Sequence, residues 1–426
     1  MKTKGFWMPF TQEKNLNTVL KSAKTAKDAY IWDENGKRYV DLISSWWVNC
    51  HGHCNEYIKN AIKQQLDSLD HVIASEFTHE PLNNLVQKLD HITNGNFFKF
   101  FFSDNGSTAV EVGIKIAWQY WKNKGEVRDK FLTFNGCYHG DTLGAMSVGM
   151  SSKFFTPFED LMPVDKILVA DFPSTWIDDE QKELKENEAI KKLEEIIYEN
   201  KNKIAFAILE PLIQGAGGMK FCSESFLQKA CQILKDNNII VIFDEVMTGF
   251  GKTGKMFAYE HLNNFIPDIV CVSKSITGGF LPLGVNFIKE EIYDAFYSDD
   301  VNKAFLHGHS YTANPIACSA ACASIDLFDD EVFLKIKQIE DCYKENVSSL
   351  LSNKIEKVRI KGLICAFDVK NQDSTYGNDF SRNFKEKAKE QGFLIRPLGN
   401  TIYLLPPFCV ETADIKLFLS HFDLDH

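Results

Sequence analysis

Five stretches of this chain place polar, chemically competent side chains directly after short apolar runs. Ile239-Ile-Val-Ile-Phe243 leads into the acidic pair Asp244-Glu245, and Ile269-Val-Cys-Val272 leads into Ser273-Lys274. The separation of Asp244 and Lys274 is long enough for a crossover connection, so the two could flank one site on neighbouring strand ends. A lysine near a buried strand end is costly unless it is paired or chemically used. Lysine amines form Schiff bases with carbonyl compounds and with pyridoxal phosphate, and that cofactor also requires a carboxylate against its ring nitrogen. Asp244 and Lys274 could supply both parts; the same two residues also read as a structural ion pair.

Three further strand ends add polar groups. Ser103-Asp-Asn-Gly-Ser-Thr-Ala-Val-Glu111 puts Gly106, Ser107 and Thr108 where a helix begins. A helix start holds anions through its free N–H groups and its dipole, although Ser, Thr and Asn also serve as ordinary caps. Asn135-Gly-Cys-Tyr-His-Gly-Asp-Thr142 offers an aromatic ring, Tyr138, that could stack on a flat ligand, or it is a plain loop. Glu210-Pro211 and Gln214 follow Ile204-Ala-Phe-Ala-Ile-Leu209. No Walker A loop, no G-x-G-x-x-G opening a βα unit and no G-x-S-x-G elbow is present. Cys50-His51-Gly-His53-Cys54 and His307-Gly-His309 crowd possible ligands too tightly for the usual zinc spacings, so no metal is expected.

These residues need a scaffold, and the apolar pattern describes one. Phe97–Phe102, Lys130–Phe134, Ile167–Ala170, Ile204–Leu209, Ile239–Phe243 and Ile269–Val272 read as buried strands, with helices between most of them. Continuous apolar strands alternating with helices predict an α/β domain with a largely parallel sheet, whose ligands collect at the carboxyl ends of the strands. Ala29–Asp41 predicts a hairpin turning at Asn35-Gly36. The lysine- and glutamate-rich stretch Asp178–Lys203 carries apolar residues at helical spacing and predicts an amphipathic surface helix. Beyond about residue 325, helical and strand-like segments suggest a second, α+β unit.

The totals agree with this picture. With 426 residues and 44% hydrophobic content, the chain suits a large domain plus a smaller one. Its net charge of −11 repels phosphate backbones, so no nucleic-acid partner is expected. Eleven scattered cysteines suggest no disulfide framework. No signal-like segment and no apolar run of membrane length is seen, so a cytoplasmic protein with no membrane partner is expected.

Taken together the segments resemble class III (fold type I) aminotransferases. Ile242-Phe-Asp-Glu-Val-Met-Thr-Gly-Phe-Gly-Lys-Thr-Gly254 and Val272-Ser-Lys-Ser-Ile-Thr-Gly-Gly279 carry the likeness, joined in family order by Ser44-Ser-Trp-Trp47, the segments around Ser107, Tyr138 and Glu210, and His307-Gly-His-Ser-Tyr-Thr-Ala-Asn-Pro315. Trp7-Met-Pro-Phe-Thr-Gln12, Trp46-Trp47 and Arg396-Pro397 are most similar to the adenosylmethionine–8-amino-7-oxononanoate aminotransferases.

The resemblance implies a large, mostly parallel-sheet domain (56–325) and a smaller α+β domain built from both termini (1–55 and 326–426). It implies pyridoxal phosphate held by Lys274, with Asp244 at the ring nitrogen, Tyr138 stacked on the ring, and Gly106 and Ser107 at the phosphate. Ser310 would reach the site of the other subunit in a homodimer. Phe10, Trp46, Trp47, Gly308 and Arg396 would bind substrate, and Glu210 and Asp141 would orient the site. The implied reaction aminates 8-amino-7-oxononanoate, with S-adenosylmethionine or lysine as donor; another ω-amine substrate or a non-catalytic binding role are the other readings. Phe10, Lys252, Ser310 and Ala313 stand where tyrosine, arginine, threonine and glycine are common in the family.

Overall fold

The computed structural model describes residues 5–15, 21–149, 153–347 and 354–420. Its centre is a seven-stranded sheet in the order Lys99–Ser103, Gly284–Ile288, Ile269–Val272, Ile240–Asp244, Ile204–Leu209, Lys130–Phe134, Ile167–Ala170. The strands expected from apolar runs are all present. Gly284–Ile288 was not foreseen; it runs antiparallel to both its neighbours and leaves the other six mutually parallel. Asn286 in its middle breaks the apolar run that would announce a buried strand. Its amide nitrogen is satisfied internally, donating to the Ala109 carbonyl at 2.8 Å.

Ile204–Leu209 is buried at every position, because helices cover both faces of a parallel sheet. Gly106–Asn123 packs against the sheet strands, while Lys182–Glu199 and Glu224–Asp236 pack on one another. Lys182–Glu199 buries Ala189, Ile190, Leu193, Ile196 and Ile197, the apolar stripe predicted for it, and leaves its charges in water.

The two ends of the chain meet in one sheet. Ala23–Lys27, Tyr30–Asp33 and Arg38–Asp41 form an antiparallel meander, with the hairpin turning at Gly36 (φ +79°). Phe393–Leu394 then pairs in parallel with Arg38–Asp41. The segment 393–405 is split between two sheets: its second half, Thr401–Leu404, belongs to a separate three-stranded sheet with Ile355–Lys361 and Ile364–Val369. Gly399 sits between the halves at φ +61°, a conformation glycine adopts without steric penalty. Among the described residues no helix is long and apolar enough to cross a membrane.

Candidate active site

Because the six parallel strands point the same way, their carboxyl ends share one edge, and a cavity of about 270 Å³ opens there. It is lined by Gly106 and Ser107, Tyr138 and His139, Glu210, Asp244, Trp47 and Lys274. The signals that were separate along the chain thus converge in space.

Asp244 ends its strand facing this cavity. One carboxylate oxygen accepts from the Val246 amide at 3.0 Å, and the other meets Nδ1 of His139 at 2.7 Å. Burial pushes the His139 ring towards neutrality, but Cys137 and Asp244 outweigh it and hold the imidazole well above its usual pKa. His139 was not singled out from sequence. Its partner lies 105 residues away, and only its place beside Tyr138 hinted at a role. Glu245 does something different. Strand alternation turns it away from Asp244. It is fully buried and accepts from the amides of Ala258 (2.7 Å) and Tyr259 (2.9 Å), while burial lifts its pKa to about 8. The acidic pair therefore divides into one cavity group and one structural group.

Lys274 follows Ser273 into the left-handed region (φ +47°), which for a non-glycine residue marks a conformation held by its surroundings. Its Nζ lies 4.5 Å from the centre of the Trp47 ring. Burial lowers its pKa to about 8, against the opposing pull of Asp244 and Glu210. An amine of that kind is half neutral near pH 8, where an ordinary lysine is almost wholly charged, and the neutral form is the nucleophile. Glu210 accepts from the amides of Tyr138 (2.9 Å) and Gly215 (2.8 Å), and burial raises its pKa to about 7.

Opposite the amine, helix Gly106–Asn123 begins. Asn105 caps it by accepting from the Thr108 amide at 3.0 Å. The amides of a first turn have no acceptor within their own helix, and the helix dipole favours an anion there. A β-carbon on Gly106 would come within 2.7 Å of Val246, and one on Gly140 within 2.2 Å of the Ser107 hydroxyl, so close packing at the helix start requires both glycines. Ser107 Oγ accepts from the Asp141 amide (3.1 Å), and Asp141 accepts from the Tyr138 hydroxyl (2.9 Å), tying the ring wall to the anion cradle. A flat aromatic aldehyde bearing a phosphate fits this donor set: an amine, a carboxylate, a ring wall and a helix N-terminus around one cavity.

The rim is aromatic. The Arg396 guanidinium lies 4.4 Å from the Trp46 ring centre, and Nη2 donates to the Tyr376 hydroxyl at 2.6 Å. Phe10 meets Trp46 and Phe154 edge-on at 5.8 and 5.7 Å. Tyr376, absent from the sequence-based candidates, supplies a phenol beside Arg396; no sequence motif surrounds it. Lys252 is buried, donates to the Trp47 carbonyl at 2.8 Å, and is lowered to about pKa 7 by burial and then by the Lys274 charge. Gly308 and Ser310 lie on an exposed loop outside the cavity. The histidines of the Cys50–Cys54 cluster go separate ways: His51 packs edge-on to Phe328 and Phe408, and His53 meets Asp41 at 2.9 Å.

Residues 11–424 match the Aminotransferase class-III family. The adenosylmethionine-8-amino-7-oxononanoate aminotransferase of Synechococcus elongatus is 42% identical over 96% of this chain and 95% of its own length. Among solved structures, the enzyme of the same name from Methanocaldococcus jannaschii superposes with a TM-score of 0.86 at 32% identity, covering 97% of this chain and 95% of that one. A PLP-bound amine transaminase from an uncultivated Pseudomonas species gives a TM-score of 0.89 at 28% identity, covering 98% and 97%.

Proposed function

The chain belongs to the class-III aminotransferase family, and we propose that within it the protein transfers an amino group to 8-amino-7-oxononanoate, giving 7,8-diaminononanoate for biotin synthesis. The observation that carries this reading is the meeting of Lys274, Asp244, Tyr138 and the Gly106 helix start in one cavity, in a chain alike over nearly its whole length to enzymes named for that substrate.

Pyridoxal phosphate is the cofactor, and when bound it supplies an electron sink that stabilises negative charge at the carbon losing or gaining a proton. Lys274 holds it and afterwards moves the proton. Asp244, fixed by His139 and the Val246 amide, keeps a negative charge against the ring nitrogen. Tyr138 stacks on the ring face, and Gly106 and Ser107 bind the phosphate. Glu210 and Asp141 keep Tyr138 in place through its amide and its hydroxyl. Arg396 pairs with the substrate carboxylate through its planar fork of donors, while Trp46, Trp47 and Phe10 enclose the chain between. S-adenosylmethionine is the amino donor.

Two copies make the working unit, with Ser310 and Gly308 of each exposed loop completing the other's site. The small unit comprises 1–55 and 326–426, the large one 56–325; the sheet shared by Arg38–Asp41 and Phe393–Leu394 supports that division. The free state of all eleven cysteines supports a reducing compartment, the cytoplasm.

The test is to mix the cofactor-loaded protein separately with S-adenosylmethionine and with lysine, and then add the keto acid. Loss of the cofactor's visible band with S-adenosylmethionine, and its return with 8-amino-7-oxononanoate, is expected. Bleaching by lysine alone would overturn the donor. Failure of the band to return with the keto acid would overturn the substrate.

A further inference from the structure

Four consecutive residues, Ser44 to Trp47, all have positive φ: +47°, +54°, +107° and +71°. None is glycine. Left-handed backbone is disfavoured for L-residues, which visit it singly rather than in runs. A run of four that includes two indoles persists only where its surroundings over-determine it.

The surroundings are specific. Asp41 is fully buried and spends both carboxylate oxygens on this turn. Oδ1 accepts from the amides of Ile43 (3.2 Å) and Ser45 (3.0 Å); Oδ2 accepts from the Ser45 hydroxyl (2.8 Å) and meets His53 Nε2 at 2.9 Å. At the far end, Ser44 Oγ donates to the Leu405 carbonyl at 2.7 Å, and Trp47 Nε1 donates to the Tyr403 hydroxyl at 3.1 Å. The product of this clamping is a pair of adjacent indoles aimed at two different groups. Trp46 lies under the Arg396 guanidinium, and Trp47 lies beside Lys274.

We propose that Asp41 is a positioning residue for the substrate: by holding the left-handed turn Ser44–Trp47, it sets the span between the reacting amine, Lys274, and the carboxylate-binding guanidinium, Arg396. Asp41 lines neither the cavity at Lys274 nor the pocket at Arg396. It acts through the two tryptophans. A substrate carrying its carboxylate at a fixed distance from its carbonyl is then measured by a backbone conformation as well as by side-chain identity. The span is read only if the reaction proposed above is right, so the test separates the two.

The holoenzyme variants Asp41→Asn and Asp41→Asn/Ser45→Gly decide the matter. Asparagine keeps the size of the side chain but not two charged acceptors. Glycine at position 45 adopts the +54° conformation without steric penalty and replaces part of what the carboxylate enforced. Asp41→Asn is expected to raise the KM for 8-amino-7-oxononanoate about tenfold, with a smaller change in kcat, because small misplacements far from the chemistry are expensive. It is also expected to alter the visible circular dichroism of the bound cofactor, since Trp47 abuts Lys274. The added glycine is expected to restore most of both. A KM within about twofold of the unsubstituted protein, an unchanged dichroism, or a defect that glycine does not restore would each overturn the proposal. If Asp41→Asn is insoluble, recovery of soluble protein with native dichroism in the double variant supports it, and insolubility of both overturns it. Should the unsubstituted protein not turn over the keto acid, the substrate reading fails, and the dichroism alone decides the role of Asp41.

Discussion

The floor of the cavity and its rim hold their side chains in different ways. On the floor each carboxylate is fixed by short bonds to rigid partners: Asp244 to His139 and the Val246 amide, Glu210 to two amides at 2.8–2.9 Å. These groups sit on strand ends of one sheet. The rim is drawn from distant parts of the chain: beyond the clamped turn that carries Trp46, its side chains meet by ring edges 5–6 Å apart and through the Tyr376 hydroxyl, which accepts from Arg396 and donates to the Phe10 carbonyl at 3.4 Å. The floor therefore has the precision that bond-making demands. The ring-edge part of the rim has the latitude to be re-cut for another substrate while the chemistry beneath stays the same.

Substitutions on the two layers should separate cleanly. Lys274→Ala is expected to abolish multiple turnover, a loss of at least about 10⁴-fold in kcat. Sustained turnover without an added amine would move the reaction away from the floor. Arg396→Ala is expected to raise the KM for the keto acid about 100-fold, equivalent to about 2.7 kcal/mol for a lost charged pair, with a smaller change in kcat; a fall in kcat at constant KM would place Arg396 in the chemical layer instead. Capture of pyridoxal phosphate by the cofactor-free protein, followed by absorbance, should depend on pH with a definite sign. Only the neutral amine attacks, and burial lowers Lys274 to about 8. The rate should climb about tenfold per pH unit below that point and level off above it; a rate still climbing at pH 10 would contradict the lowered value. The smallest effect is expected at Phe10→Tyr. Position 10 is 38% exposed, and a hydroxyl there exchanges one hydrogen bond with water for another. KM should shift by no more than about threefold, and a larger change would reveal a stiffer rim than ring-edge contacts imply.

The same division governs what could be read from the sequence. Strand ends are announced by apolar runs, so Asp244, Lys274, Glu210 and the Gly106 helix start were legible as residues at one edge of one sheet. Runs do not report pairing across the fold. His139 finds Asp244 across 105 residues, Tyr376 reaches Arg396 from outside any motif, and the opposed fates of Asp244 and Glu245 depend on which face each shows. The left-handed turn at Ser44–Trp47 was invisible for another reason. Local propensity argues against it, and only contacts to Asp41, Leu405, Tyr403 and Lys252 impose it. Strand Gly284–Ile288 was hidden by a buried asparagine whose amide nitrogen bonds the Ala109 carbonyl.

The sheet that joins the two ends of the chain has a consequence for how the protein is made. Arg38–Asp41 is made well before its partners: Val40 donates to the Gly392 carbonyl and pairs with Phe393, and Leu42 accepts from the Leu405 amide. These partners are translated some 350 residues later, which at roughly 5–20 residues per second is a wait of roughly 20–70 seconds. For that interval the nascent meander carries an unpaired edge. The meander therefore stays open to wrong edge pairing until residues 392–405 are made and close it.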